Sequence, residues 1–195
     1  MEFFRTSTGN LLSYEAEAGV RHHVALSVVG ADRLQEGPYI RAKLEQEKLI
    51  KESGIPYSIV HATQFFEFWP GIADAATDGS KVRVPLVFIQ PIAADDVAAS
   101  VAKVAIGKPL NGVVEVAGPQ RFQFDEFIRK GLLARNDPRE VVADPNARYF
   151  GARLGELTLV ASGDARIGQV RFEEWLSPAM SHRQPGRAAG AVLSS

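Results

Sequence analysis

The chain has 195 residues, of which 46% are hydrophobic and 23% charged, and its formal net charge is -1. This composition is typical of a globular protein and gives no basic surface for nucleic acid or an anionic membrane. The absence of cysteine excludes disulfides, thiolate nucleophiles and cysteine metal sites. No export signal or membrane-spanning run is recognised, so the sequence predicts a cytoplasmic protein that acts on a small molecule.

The first elements in chain order alternate between helix and strand. Apolar residues over 3–18 recur near the helical period, and a continuous apolar run over 24–30 predicts a strand covered on both faces. Pro38 and Gly54 then delimit a helix, and residues 57–62 form the next strand. Strand, helix and strand in this order predict a βαβ unit with parallel strands.

The helix between these strands is amphipathic. Ile40, Leu44 and Ile50 point to one side and predict the buried face. Charged and polar residues fill much of the remainder and are interpreted as its polar face: Glu45, Gln46, Glu47, Lys48 and Lys51.

Four aromatic residues follow the second strand, at the end where ligand clefts of open α/β sheets form. One interpretation is that they line a pocket, and the other is that they pack an inserted segment onto the core. The sequence leaves both open for Phe65, Phe66, Phe68 and Trp69.

Shorter elements fill the rest of the chain. The pattern predicts one or two strands around Pro85, helices over 95–107 and 125–134, a strand over 112–118, a strand at 141–142 and a last helical turn at 172–176. The Ser, Pro, Gly, Ala and Arg composition of residues 177–195 predicts a mobile tail.

Three side chains of the βαβ unit carry a possible chemistry. Tyr39 and Lys43 are four residues apart on the helix and share one face, while Ser27 lies in the preceding strand. A phenol can donate a proton to a carbonyl, an ammonium can lower the phenol's pKa, and a hydroxyl can hold the substrate oxygen. The alternative is a surface tyrosine beside a solvated lysine.

Other polar residues are weaker candidates. His61 ends the second strand and is placed for a ligand, although a lone histidine is more often scaffold. His22 and His23 face opposite sides of a strand and do not suit one metal. Asp95 and Asp96 are interpreted as structural residues at a helix N-terminus, so no metal site is predicted.

Glycine spacing gives a negative result. None of the 17 glycines stands two residues from another, so the G-x-G-x-x-G turn that cradles a dinucleotide pyrophosphate does not occur in this sequence.

The chain resembles the second half of an atypical short-chain dehydrogenase/reductase of the NmrA-like, NAD(P)-binding group, over roughly residues 3–176. The resemblance is carried by Val24-Ala25-Leu26-Ser27-Val28-Val29-Gly30, Tyr39-Ile40-Arg41-Ala42-Lys43 with Glu47, Pro56-Tyr57-Ser58-Ile59-Val60-His61-Ala62-Thr63-Gln64-Phe65, and Ile92-Ala93-Ala94-Asp95-Asp96-Val97-Ala98. Family members begin with strands and a Gly-rich turn that this sequence lacks. The chain is therefore interpreted as an N-terminally truncated member whose sheet has an exposed edge.

The resemblance implies an α/β fold with a Rossmann-like, mainly parallel sheet and a small α+β substrate-side region. It divides the chain into a partial NAD(P)-binding core over 1–118, a substrate-side region over 119–176 and a flexible tail over 177–195. NAD or NADP is the implied cofactor. Ser27 is implied to lie by the nicotinamide and Lys43 by the ribose, with the stretch after His61 bordering nicotinamide and substrate. The implied cofactor contacts are Ser27, Lys43, His61, Ala62, Thr63, Gln64 and Phe65.

These observations lead to the hypothesis of an NAD(P)H-dependent reductase of a small carbonyl, quinone or azo-type acceptor. Tyr39 would be the proton donor, Lys43 the ribose anchor and Ser27 the residue that orients substrate. Two alternatives remain, a non-catalytic dinucleotide sensor that binds a protein partner and an inactive fragment. The sequence does not fix the substrate, the choice between NAD and NADP, or the oligomeric state.

Overall fold

The computed structural model describes residues 2–34 and 37–177. Nearly all of the tail predicted to be mobile, residues 178–195, lies outside the described residues. Helices and strands of the described part are, in chain order, α1 (Glu2–Glu17), β1 (His23–Val28), α2 (Pro38–Glu52), β2 (Tyr57–Ala62), α3 (Trp69–Ala75), β3 (Thr77–Asp78), β4 (Lys81–Val84), β5 (Phe88–Ile89), α4 (Ala94–Ala105), β6 (Gly112–Ala117), β7 (Phe122–Gln123), α5 (Phe124–Ala134), β8 (Glu140–Ala143), β9 (Arg166–Ile167) and α6 (Phe172–Leu176).

The main sheet has four parallel strands in the order β1, β2, β6 and β9. Helix α2 connects β1 to β2, which confirms the predicted βαβ unit. The register of β1 and β2 places Ser27 opposite His61, so the two side chains lie on the same face of the sheet.

Helices cover this sheet on two sides. On one face Leu12 of α1 and Ile50 of α2 pack with Ile59 of β2. On the other face Val97 of α4 packs against Val60, the next residue of β2. The apolar stripe of α1 therefore finds its partners in α2 and the sheet.

The prediction that β1 is buried on both faces is wrong. Leu26 is 39% exposed, while Ser27 beside it is 7% exposed. Among the described residues β1 pairs only with β2, so it is the outermost strand and presents one side to solvent. The exposed edge of the sheet was predicted correctly.

Two smaller sheets lie beyond the main sheet and pack on a second, larger core. One has the strand order β3, β4 and β8, and the other pairs β5 with β7. Phe66 and Trp69 are fully buried in this core, with Phe172 of α6 against the Phe66 ring at 5.0 Å between centroids. Packing onto the core is thus the role of two of the four aromatic residues after β2.

No helix in the described part of the chain combines the length and the apolar character that crossing a bilayer would require.

Gly131 is where α5 approaches the core most closely. A Cβ at this position would stand 2.7 Å from ring atoms of Trp69, which is 1% exposed. We expect Gly131→Ala to lower the free energy of unfolding by about 1–3 kcal/mol, because overpacking outweighs the better helix propensity of alanine. Urea denaturation measures the change.

Gly71 in α3 is the matched control, since a Cβ there meets nothing within 4 Å. Gly71→Ala is expected to be neutral or stabilising. Equal unfolding midpoints for the two variants would show that Trp69 can move aside.

Candidate active site

A cleft of about 660 Å³ opens where β1 and β2 end. Its walls come from four places: residues 26–28 of β1, the first turns of α2, residues 62–65 at and after the end of β2, and a loop that includes Tyr149 and Phe150. The surface is mainly apolar. The cleft therefore lies at the carboxyl ends of parallel strands, the position at which open α/β sheets bind ligands.

Ser27, Tyr39 and Lys43 all line this cleft. Ser27 reaches it from β1, and Tyr39 and Lys43 reach it from successive turns of α2. Tyr39 is 59% exposed, and its ring stands edge-on to that of Phe4 at 6.4 Å between centroids. The structure thus brings together the three side chains that the sequence singled out.

The Lys43 ammonium is buried, and two of its hydrogen bonds are defined. It donates to the backbone oxygen of Leu26 at 2.8 Å and to Oε1 of Gln46 at 2.6 Å. Burial lowers the pKa of Lys43, and the charge of Glu47 partly opposes this shift. The ammonium also lies over the Phe4 ring, 5.9 Å from its centroid. Because an ammonium has three N–H donors and two are used by hydrogen bonds within the described residues, Lys43 can donate a further hydrogen bond to a group in the cleft.

The Ser27 hydroxyl donates to Oε1 of Glu47 at 2.6 Å, behind the cleft wall. The same carboxylate accepts from Nε2 of His61 at 2.9 Å and from Nζ of Lys51 at 3.2 Å. Burial alone would raise the pKa of Glu47, but hydrogen bonds from His61, Ser27 and Lys51, together with the adjacent imidazole, lower it to about 2. Glu47 is therefore an ionised carboxylate that accepts three hydrogen bonds.

The placement of Glu47 on the polar face of α2 was wrong, because only 3% of the residue is exposed. His61 points to this carboxylate and is not among the residues that line the cleft. Its predicted contact with a cofactor stays a prediction, whereas its hydrogen bond to Glu47 is a feature of the fold.

The segment after β2 supplies buried polar atoms to the cleft. Thr63 is 1% exposed and Gln64 is 7% exposed, and both line the cleft together with Ala62 and Phe65. Thr63 Oγ1 and Gln64 Oε1 have no hydrogen-bond partner among the described residues. The same holds for three buried atoms of residues that do not line the cleft, His22 Nδ1, Trp69 Nε1 and Gln90 Oε1.

Aromatic side chains form the apolar walls. Phe65 and Phe68 line the cleft as a stacked pair, 5.3 Å between centroids and 5° between planes. Tyr149 and Phe150 also line the cleft, and their rings meet edge to face at 4.9 Å between centroids. The alternative that the aromatic residues after β2 line a pocket therefore holds for Phe65 and Phe68.

Sequence reasoning missed the loop that carries Tyr149 and Phe150. Tyr149 and Ala152 exchange two backbone hydrogen bonds of 2.9 Å, and Phe150 and Gly151 between them have φ of 46° and 86°. The local signal was Gly151, since glycine readily adopts the positive φ that such a tight turn requires.

The other polar candidates have structural partners. His23 pairs with Glu15 of α1 at 2.7 Å, and His22 hydrogen-bonds Ser58. Asp96 accepts the backbone amides of Gln169 and Val170 at 2.8 and 2.9 Å, which ties the segment before α6 to α4.

Comparisons with known proteins extend only to the fold. No family model and no curated protein match the sequence. Solved structures that match include a nucleoside-diphosphate-sugar epimerase from Staphylococcus aureus, with a TM-score of 0.62, 16% identity and coverage of 87% of this chain and 69% of that one. An Escherichia coli NADPH-dependent quinone oxidoreductase complexed with NADPH has a TM-score of 0.56 and 21% identity, and the match covers 70% and 48% of the two chains.

A third match is the Citrobacter sp. triphenylmethane reductase complexed with NADP(H), with a TM-score of 0.55, 19% identity and coverage of 73% and 50%. The chain spans about half the length of the quinone oxidoreductase and of the triphenylmethane reductase. The predicted α/β fold with a parallel Rossmann-type sheet is confirmed. The chain therefore has the fold of the Rossmann-type NAD(P)-binding proteins, as its resemblance to the NmrA-like group implied.

Proposed function

We propose that the protein is an NAD(P)H-dependent reductase of a small aromatic acceptor, such as a quinone or a conjugated carbonyl. The observation that carries this proposal is that Ser27, Tyr39 and Lys43 line one cleft whose remaining walls are mainly apolar and include four aromatic side chains. A volume of about 660 Å³ lies within the usual range of small-molecule sites, about 300–1,000 Å³.

The nicotinamide end of the cofactor fits the cleft. Lys43 lines the cleft and can donate a hydrogen bond to a ribose hydroxyl, and the polar residues Thr63 and Gln64 line it as well. Ser27 borders the same space. The cofactor would supply a hydride, and the chain's own residues would hold the ring beside the acceptor and deliver the proton.

Tyr39 is the better proton donor of the two tyrosines in the cleft. Burial raises the pKa of the Tyr149 phenol, which makes it a weaker acid. Tyr39 is 59% exposed, so its hydroxyl is accessible to an acceptor in the cleft, and it lies one helical turn from Lys43.

The apolar walls favour a planar acceptor. Phe65 and Phe68 form a stacked pair, and Tyr149 and Phe150 provide ring faces and edges from another loop of the cleft. Aromatic side chains bind planar rings by offset stacking and edge-to-face contacts, so a quinone or aryl carbonyl suits this space better than a polyol.

A dinucleotide sensor without turnover is the second candidate. It is favoured by the hydrogen bond from Ser27 to Glu47, since a hydroxyl proton held by a carboxylate is not free for a substrate carbonyl. Binding of NADPH without its consumption, over a panel of quinones and aryl ketones, would support this candidate against the reductase.

Loss of NADPH absorbance in the presence of menadione tests the reductase directly. We expect Lys43→Met to raise the KM for NADPH about 10- to 100-fold, because a hydrogen bond from a charged group to the cofactor is removed. Lys48→Met, an exposed lysine of the same helix, is the matched control and is expected to match the unsubstituted protein. Absence of NADPH oxidation with every acceptor would reject the proposal.

A further inference from the structure

We infer that Glu47 is a positioning residue that makes the Ser27 hydroxyl a hydrogen-bond acceptor toward the cleft. This wall then selects ligand groups that carry an N–H or O–H donor. The inference deepens the proposed function and rests on it only for the identity of the ligand, a primary amide on a planar aromatic ring such as nicotinamide.

The geometry at Ser27 fixes where its proton goes. A serine hydroxyl has one proton and two acceptor lone pairs, whereas an ionised carboxylate can only accept. With 2.6 Å between Ser27 Oγ and Glu47 Oε1, the hydroxyl proton must lie on this line. The separation falls in the range of about 2.5–2.7 Å that is usual for a charge-assisted O–H···O⁻ bond.

Glu47 remains ionised at neutral pH. His61 and Lys51 also donate to it, and the three hydrogen bonds hold the pKa of the buried carboxyl near 2. The imidazole Nε2 must carry a proton, since its partner only accepts. All three groups therefore donate their hydrogen bonds to the Glu47 carboxylate, and the Ser27 hydroxyl has no proton left to donate to a ligand in the cleft.

Only lone pairs of Ser27 remain for a ligand. Ser27 is also among the residues that line the cleft. An N–H group, such as that of a primary amide, can donate to the Ser27 oxygen, whereas a ketone of the same shape leaves it unpaired. In this inference Ser27 accepts a hydrogen bond from a ligand, in place of its expected role as donor to a substrate oxygen.

Nicotinamide and 3-acetylpyridine form a matched pair of probes, since one carries an NH₂ group where the other carries a methyl. We expect the protein to bind nicotinamide about three- to tenfold more tightly, as one neutral hydrogen bond predicts. Titration followed by NMR chemical shifts gives both dissociation constants. Equal dissociation constants for the two probes, or no binding of nicotinamide at the highest concentration that dissolves, overturn the inference.

Variants then assign the preference to Glu47 and Ser27. Glu47→Met allows the Ser27 hydroxyl to donate to a ligand, and Ser27→Ala removes the acceptor, so each is expected to bring the ratio of dissociation constants close to one. The control Lys48→Met is expected to leave the ratio at its value in the unsubstituted protein. A ratio unchanged in Ser27→Ala overturns the inference even where Glu47→Met does not fold.

The ratio is independent of turnover. A protein that fails to oxidise NADPH but keeps the amide preference would reject the proposed reductase and retain this role of Glu47. A protein that oxidises NADPH but binds nicotinamide and 3-acetylpyridine equally tightly would support the proposed reductase and reject this role of Glu47.

Discussion

Replacing Tyr39 by phenylalanine is expected to lower kcat for reduction of a quinone or an aryl ketone by about 10²- to 10⁴-fold, the usual contribution of general acid catalysis. The ring and its contact with Phe4 are kept, so the change removes only the hydroxyl. Binding of NADPH should change little, because the phenol is assigned to proton delivery. Steady-state kinetics with NADPH as the varied substrate separate kcat from KM.

Two other tyrosines make this result decisive. Tyr14 is exposed on α1 and is not among the residues that line the cleft, so Tyr14→Phe serves as the neutral control. Tyr149→Phe tests the competing phenol in the cleft. If turnover falls in Tyr149→Phe and persists in Tyr39→Phe, the assignment of the proton donor is wrong.

The βαβ unit and the convergence of Ser27, Tyr39 and Lys43 were predictable from local signals. Pro38 and the glycine at 54 bound the helix, and a spacing of four places Tyr39 and Lys43 on one side of it. Residues at the end of a parallel strand face the same edge of the sheet as the start of the next helix. The three walls of the cleft that come from β1, α2 and the end of β2 could therefore be predicted from short-range geometry alone.

The burial of single residues was not predictable from the same signals. The sequence predicted that β1 is buried because Val24 and Leu26 are apolar, but burial depends on which strand lies next to β1. Glu47 read as a surface residue because it is charged, but Ser27 and His61 turn it inward. These outcomes depend on neighbours distant in sequence, which hydrophobic periodicity does not encode.

The fourth wall illustrates the same limit. Tyr149 and Phe150 lie more than one hundred residues after Tyr39, in a loop with no regular periodicity. Long-range packing of the second core brings them to the cleft, since Tyr149 contacts the Phe124 ring at 5.8 Å between centroids. The local sequence could therefore predict the turn, but not that the turn lies at the cleft.

Glu47→Gln is expected to lower the free energy of unfolding at pH 7 by about 3 kcal/mol, because each unit of pKa shift corresponds to about 1.4 kcal/mol. The pKa of this carboxyl is about 2 in the folded chain, against a usual value of 4.5. A lowered pKa stabilises the fold fully above the unfolded value. That stabilisation is lost as the pH falls from about 4.5 through about 2.

The pH dependence distinguishes this electrostatic effect from a loss of packing. The difference in unfolding free energy between the unsubstituted protein and Glu47→Gln should shrink steadily as the pH falls below about 4.5, since protonation removes the same charge as the substitution. Urea denaturation at a series of pH values measures it. Glu52→Gln removes an exposed carboxylate of the same helix without touching Ser27 or His61 and is the control. A difference that stays constant down to pH 2 would mean that Glu47 stabilises the fold by its shape, and that its charge, on which the orientation of the Ser27 hydroxyl depends, contributes nothing.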